Sequence, residues 1–96
     1  MKTEKIDEKR LAVLFDALSD QMRLNIFRVL LTDSDICVSE IARKFSVSVP
    51  AVSQQLKILE RGGFVERIRR GQKVCYTARK GDTRIRSLIS LVRKYY

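Results

Sequence analysis

The chain has 96 residues, with 20 Lys and Arg against 11 Asp and Glu, a formal net charge of +9, two cysteines and no histidine. That length suits one domain, and a monomer of this size buries only about two-thirds of its unfolded surface, so oligomerisation would help it, while the positive charge points to a polyanion, nucleic acid ahead of an anionic membrane. Without histidine the usual general base and the commonest zinc nitrogen ligand are gone, and no apolar run nears the roughly 20 residues of a membrane span, so no metal, cofactor or membrane partner is expected and the expected location is cytoplasmic.

In chain order, Leu11, Leu14, Phe15 and Leu18 recur at helical spacing and predict a helix over about 5–18. Ser19-Asp20 supplies an N-cap for a core helix over about 21–32, apolar around most of its circumference from Met22 to Leu31. Ile36-Cys37-Val38 reads as a one-rung strand, followed by Ser39 as the expected cap of a two-turn helix ending near Phe45. Ser46-Val47-Ser48 is the turn. Ser48 caps the next helix, whose second residue is Pro50, where a missing N–H costs nothing. Val52, Leu56 and Leu59 face the core with help from Ile58, and Gly62-Gly63 ends the helix in a left-handed cap. Phe64 to Arg69 forms a strand, Arg70-Gly71-Gln72 turns it, and Lys73 to Ala78 returns beside it. Asp82 caps a last helix carrying Ile85, Leu88, Ile89, Val92 and Tyr96 along one side.

Helix, turn, helix and basic hairpin in immediate succession are the layout of a winged helix-turn-helix. The expected class is α+β, mostly α, in one domain over 1–96. The helix-turn-helix spans about 39–62 and the wing about 64–78, with flanking dimerisation helices at about 5–18 and 82–96. Charge follows the same plan, because residues 57–80 carry Lys57, Arg61, Arg67, Arg69, Arg70, Lys73, Arg79 and Lys80 against only Glu60 and Glu66. On the helix after Ser48, the outward residues Val49, Pro50, Ser53, Gln54 and Lys57 suit entry into a major groove of double-stranded DNA. Gln54 can pair with adenine and Ser53 can bond a base or a phosphate. Val49 stands where a polar base-reading residue is more usual. Arg67, Arg69, Arg70, Gln72 and Lys73 crowd one hairpin, a repulsion that phosphates would relieve, and Arg70 at the tip can reach into a minor groove.

The two end helices exceed what a three-helix core with a hairpin needs. Their apolar stripes, Leu11, Leu14, Phe15 and Leu18 with Ile85, Leu88, Ile89 and Val92, predict a two-fold homodimer interface. Such a dimer presents its recognition helices to successive major grooves and reads an inverted repeat with half-sites about one turn apart.

The run DICVSEIARKFSVSVPAVSQQLKILERGGFVERIRRGQKVCYTA resembles the winged-helix core of arsenic-repressor (ArsR/SmtB) type regulators, and SDQMRLNIFRVLL, with Arg23 near its start, resembles the helix that precedes it. The resemblance covers nearly the whole chain and implies a dimeric transcriptional repressor with an inducer that releases DNA. The family's metal patterns are not met. Arsenic-type and cadmium-type members carry two cysteines separated by one residue, where this chain has Cys37 and then Ser39, and the zinc-type set on the last helix is reduced to Asp82.

In a winged helix the strand before the helix-turn-helix pairs with the returning wing strand. If Ile36, Val38, Val74 and Tyr76 face the core, alternation brings Cys37 and Cys75 together on the other face. Three readings stay open: a reversible, redox-sensing disulfide, a pair of ligands for a soft ion such as Cu(I), or two small residues packed in a sheet. For the chain as a whole, a sequence-specific regulator leads. The alternative is an architectural or antitoxin-like module that binds DNA or protein without an inducer. An enzyme is not expected, since no nucleophile with a base, paired-carboxylate pocket or phosphate loop is present.

Overall fold

Asp20 begins the central helix as expected, its carboxylate accepting the Arg23 N–H at 3.0 Å. The computed structural model describes residues 8–33 and 35–95. Its elements are α1 (Glu8–Ala17), α2 (Gln21–Thr32), β1 (Ile36–Cys37), α3 (Val38–Phe45), α4 (Val49–Arg61), β2 (Val65–Arg70), β3 (Lys73–Ala78) and α5 (Thr83–Lys94). The helices enclose a core in which Ile26, Phe27, Leu30, Ile41, Val52, Leu56, Leu59 and Phe64 are wholly buried, Phe27 and Phe64 meeting edge to face at 5.3 Å. The strands form one antiparallel sheet in the order β1-β3-β2.

Several boundaries differ from the sequence reading, each for a local reason. The first helix ends at Ala17, leaving Leu18 in the turn, and positions 5–7 lie outside the described residues, as does Tyr96. Cys37, not Ser39, holds the cap position of α3, because the Glu40 carboxylate reaches back to accept the Cys37 N–H at 2.9 Å and so starts the helix at Val38. The wing strand begins at Val65, since Phe64 belongs to the end of α4. There the Phe64 N–H donates to Leu59 O and the Gly63 N–H to Glu60 O, both at 3.0 Å, with Gly63 at φ +83°. That is a Schellman ending, and the glycine takes the left-handed turn without a Cβ penalty. The hairpin turn is shortened to Gly71-Gln72, so Arg70 and Lys73 close the ladder as its last pair.

Candidate nucleic-acid interface

The turn between α3 and α4 sets how α4 is presented. Ser46 adopts a left-handed conformation at φ +56°, the Val47 N–H returns to Ala42 O at 3.0 Å, and Ser48 Oγ accepts the Ala51 N–H at 3.2 Å. Val52, Leu56 and Leu59 then lock the inner ridge of α4 into the core. Val49, Pro50, Gln54 and Lys57 are exposed, Ser53 is half-buried, and Ser48 is exposed at the cap, so the residues singled out in the sequence do share the free side of this helix.

On the hairpin, Arg67, Arg69, Arg70, Gln72 and Lys73 are all exposed. Ladder register puts Arg67 opposite Tyr76, Arg69 opposite Val74 and Arg70 opposite Lys73. Like charges directly opposite each other are destabilising, and here Asp35 relieves the last pair through an ion pair with the Arg70 guanidinium. Arg70 thus closes β2 beside the turn, exposed and paired with Asp35. Asp35 carried no signal in the sequence, being a loop acid far from Arg70 along the chain. Within this ladder, burial raises the Tyr76 phenol pKa above its ordinary value, Glu60 adds to the rise and Arg67 opposes it.

Arg23 is a buried charged side chain, 8% exposed, and its guanidinium joins three elements. Nε donates to Ala17 O at 2.6 Å and Nη2 to Asp16 O at 2.9 Å, closing the carbonyl end of α1, while Nη1 donates to Gln55 Oε1 on α4 at 2.9 Å. Gln55 was missed in the sequence. The hint lay in Arg23 itself, near the start of a largely apolar helix.

The expected dimer residues divide into two groups. Leu14, Ile85, Ile89 and Val92 are buried within this chain's own core, whereas Leu11 and Phe15 are exposed at 42% and 57% and Leu18 and Leu88 are half-buried. Phe15, Leu18, Leu24, Leu88, Leu91, Val92 and Tyr95 line an apolar groove between α1, α2 and α5. Leu91 and Tyr95, both exposed, belong to that face and were not picked out in the sequence.

Cys37 stands directly opposite Cys75, and the two are joined as a disulfide across 38 positions of chain. Ile36, Val38, Val74 and Tyr76 belong to the main core or pack against it. The two cysteines are buried as well, Cys75 completely. The bridge ties the first residue before α3 to the central strand of the sheet. Among the described residues no group of three or more Cys, Asp or Glu is placed to hold a metal ion.

Residues 20–67 match the family model described as "Bacterial regulatory protein, arsR family". The transcriptional activator HlyU of Vibrio cholerae is 33% identical over 84 residues, which cover 88% of this chain and 75% of HlyU. The transcriptional repressor SmtB homolog of Synechocystis is 36% identical over 69 residues, covering 72% of this chain and 52% of that protein. Among solved structures, HlyU of Vibrio cholerae superposes with a TM-score of 0.80 at 29% identity, covering 95% of this chain and 98% of HlyU. A homodimeric winged helix-turn-helix DNA-binding domain from Mycobacterium bovis, a possible ArsR-family transcriptional regulator, gives 0.78 at 25% identity, covering 98% and 89%.

Proposed function

Because the chain belongs to the arsR family of bacterial regulatory proteins, we propose that it is a homodimeric, DNA-binding repressor that reads an inverted repeat and answers to the state of the Cys37–Cys75 pair. The observation that carries the reading is the pairing of a recognition helix, its free face formed by Val49, Pro50, Ser53, Gln54 and Lys57, with a hairpin whose exposed cations include Arg67, Arg69 and Lys73. The helix supplies base contacts and the hairpin supplies phosphate contacts. Leu11, Phe15, Leu18 and Leu88, with Leu91 and Tyr95, form the two-fold contact, and Leu14, Ile85, Ile89 and Val92 support it from beneath. No helix among the described residues is long and apolar enough to cross a membrane, and the reading places the protein with DNA in the cytoplasm.

The cysteine pair joins the entry of the helix-turn-helix to the wing, so its redox state acts on both DNA-contacting parts at once. Oxidation removes one proton and one electron from each thiol and joins the sulfurs: hydrogen peroxide converts one thiol to a sulfenic acid with release of one water, and the other thiol then displaces the hydroxyl as a second water to form the disulfide. The bridge then fixes the wing against α3, and the dithiol form, whose wing is free to follow the phosphates, is the tighter binder.

The test is fluorescence anisotropy with the DNA upstream of this protein's own gene beside scrambled DNA of equal length, using reduced and mildly oxidised protein. Preference for the upstream DNA, stronger in the reduced state, is expected. Equal binding to both DNAs, falling with salt alone, would indicate a sequence-blind module and overturn the reading. Equal binding by the reduced and oxidised forms would remove the thiol response alone.

A further inference from the structure

Val49 is the first residue of α4 and is 47% exposed, with Pro50 and Ala51 exposed beside it. It contributes nothing to the buried ridge of Val52, Leu56 and Leu59. Single exposed apolar side chains are ordinary on protein surfaces. Three in succession, at the leading end of a helix read here as the DNA-contacting one and on a protein of net charge +9, call for a physical reason.

The base edges give that reason. The first residues of a recognition helix approach the major-groove floor, where thymine alone carries a methyl group, at C5, and an alkyl side chain is the natural contact for it. Valine has neither donor nor acceptor. Opposite guanine, cytosine or adenine it would strip water from a polar edge and return no hydrogen bond, so its preference for thymine comes from both attraction and exclusion. Helical spacing sets Ser53 one turn beyond Val49 on the same flank, with exposed Gln54 next to it. Gln54 has the donor and acceptor that match adenine.

We propose that Val49 is a specificity residue that selects one thymine in each half-site through its 5-methyl group, close to an adenine read by Gln54. This rests on α4 being the recognition helix. The experiment first selects bound duplexes from a random pool with the full chain, then replaces each thymine of the preferred site by uracil, which pairs identically and lacks only the methyl.

One thymine per half-site is expected to respond, with about fourfold weaker binding for one replacement and about fifteenfold for both, the value of one buried methyl at each contact. In Val49→Ala the same replacement should change affinity less than twofold, with an unaltered melting curve showing that the variant is folded. Losses below twofold at every thymine, or a loss that persists undiminished in Val49→Ala, would overturn the inference while leaving the recognition reading intact. A pool that enriches no sequence would refute the recognition reading, and this inference with it.

Discussion

Reducing the Cys37–Cys75 bridge is expected to destabilise the folded protein by about 4 kcal/mol at 25 °C. The bridge closes a loop between positions 38 apart in sequence. In the chain-entropy account, a loop of that size withholds roughly 13 cal/mol/K from the unfolded ensemble, which gives the figure of about 4 kcal/mol. That is a large share of the roughly 5–15 kcal/mol that holds a domain together, and for a chain near this length it corresponds to a fall in Tm of roughly 15–30 °C. Urea denaturation followed by circular dichroism, with and without a phosphine reductant, measures it directly. Protein concentration must be held constant because dimerisation contributes to apparent stability. The slope against urea should steepen on reduction, because the released chain expands and exposes more surface. A Cys37→Ser, Cys75→Ser double variant should match the reduced protein and ignore the reductant. A reduction effect under about 1 kcal/mol would refute the loop-entropy reasoning, and a reductant effect that survived in the double variant would place its cause elsewhere.

Two further predictions follow from single side chains. Burial pushes the Asp82 carboxyl pKa up, but the backbone N–H groups of Ile85 and Arg84 and the charges of Arg84 and Arg79 outweigh it and leave the group below its ordinary value. A lowered carboxylate pKa stabilises the fold above the unfolded value of about 4 and loses that contribution as pH falls below it. Asp82→Ala should therefore cost about 1 kcal/mol at pH 7, and the gap between variant and native urea midpoints should close toward pH 3. A gap that is constant with pH would show that the carboxylate charge is not what caps α5. Arg23→Met should cost about 3 kcal/mol in the same assay, because it removes three hydrogen bonds from a charged donor. Arg23→Lys should regain only part of this, since one ammonium cannot reproduce the planar fork that reaches Asp16, Ala17 and Gln55, and full recovery would argue that charge alone matters there.

Much of the architecture is legible in the sequence because its signals are local. The Ser48 and Asp82 caps, the Gly62-Gly63 stop and the Lys73–Ala78 strand fall where the residues place them, each depending on neighbours within a few positions. Even the meeting of Cys37 with Cys75 follows from strand alternation once the two strands are paired. Where an element boundary differs, one local bond has outbid another, as when Glu40 draws the α3 cap back to Cys37.

Other features depend on groups far apart in the chain. A helical stripe records that a side is apolar without recording what covers it. Leu14 and Ile85 turned inward while Phe15, Leu91 and Tyr95 were left outside, because the core offers only so much volume between α1, α2 and α5. Arg70 reads as a cation at the hairpin tip, and its partner Asp35 lies 35 positions away in the chain. Arg23 stands out in the sequence near the start of α2, but its partners, the end of α1 and Gln55 of α4, are set only when the helices pack around it. Periodicity and capping determine which elements form. The partners of a buried charge and the outer side of an amphipathic helix are decided only when those elements pack, because each depends on desolvation by residues that no local pattern names.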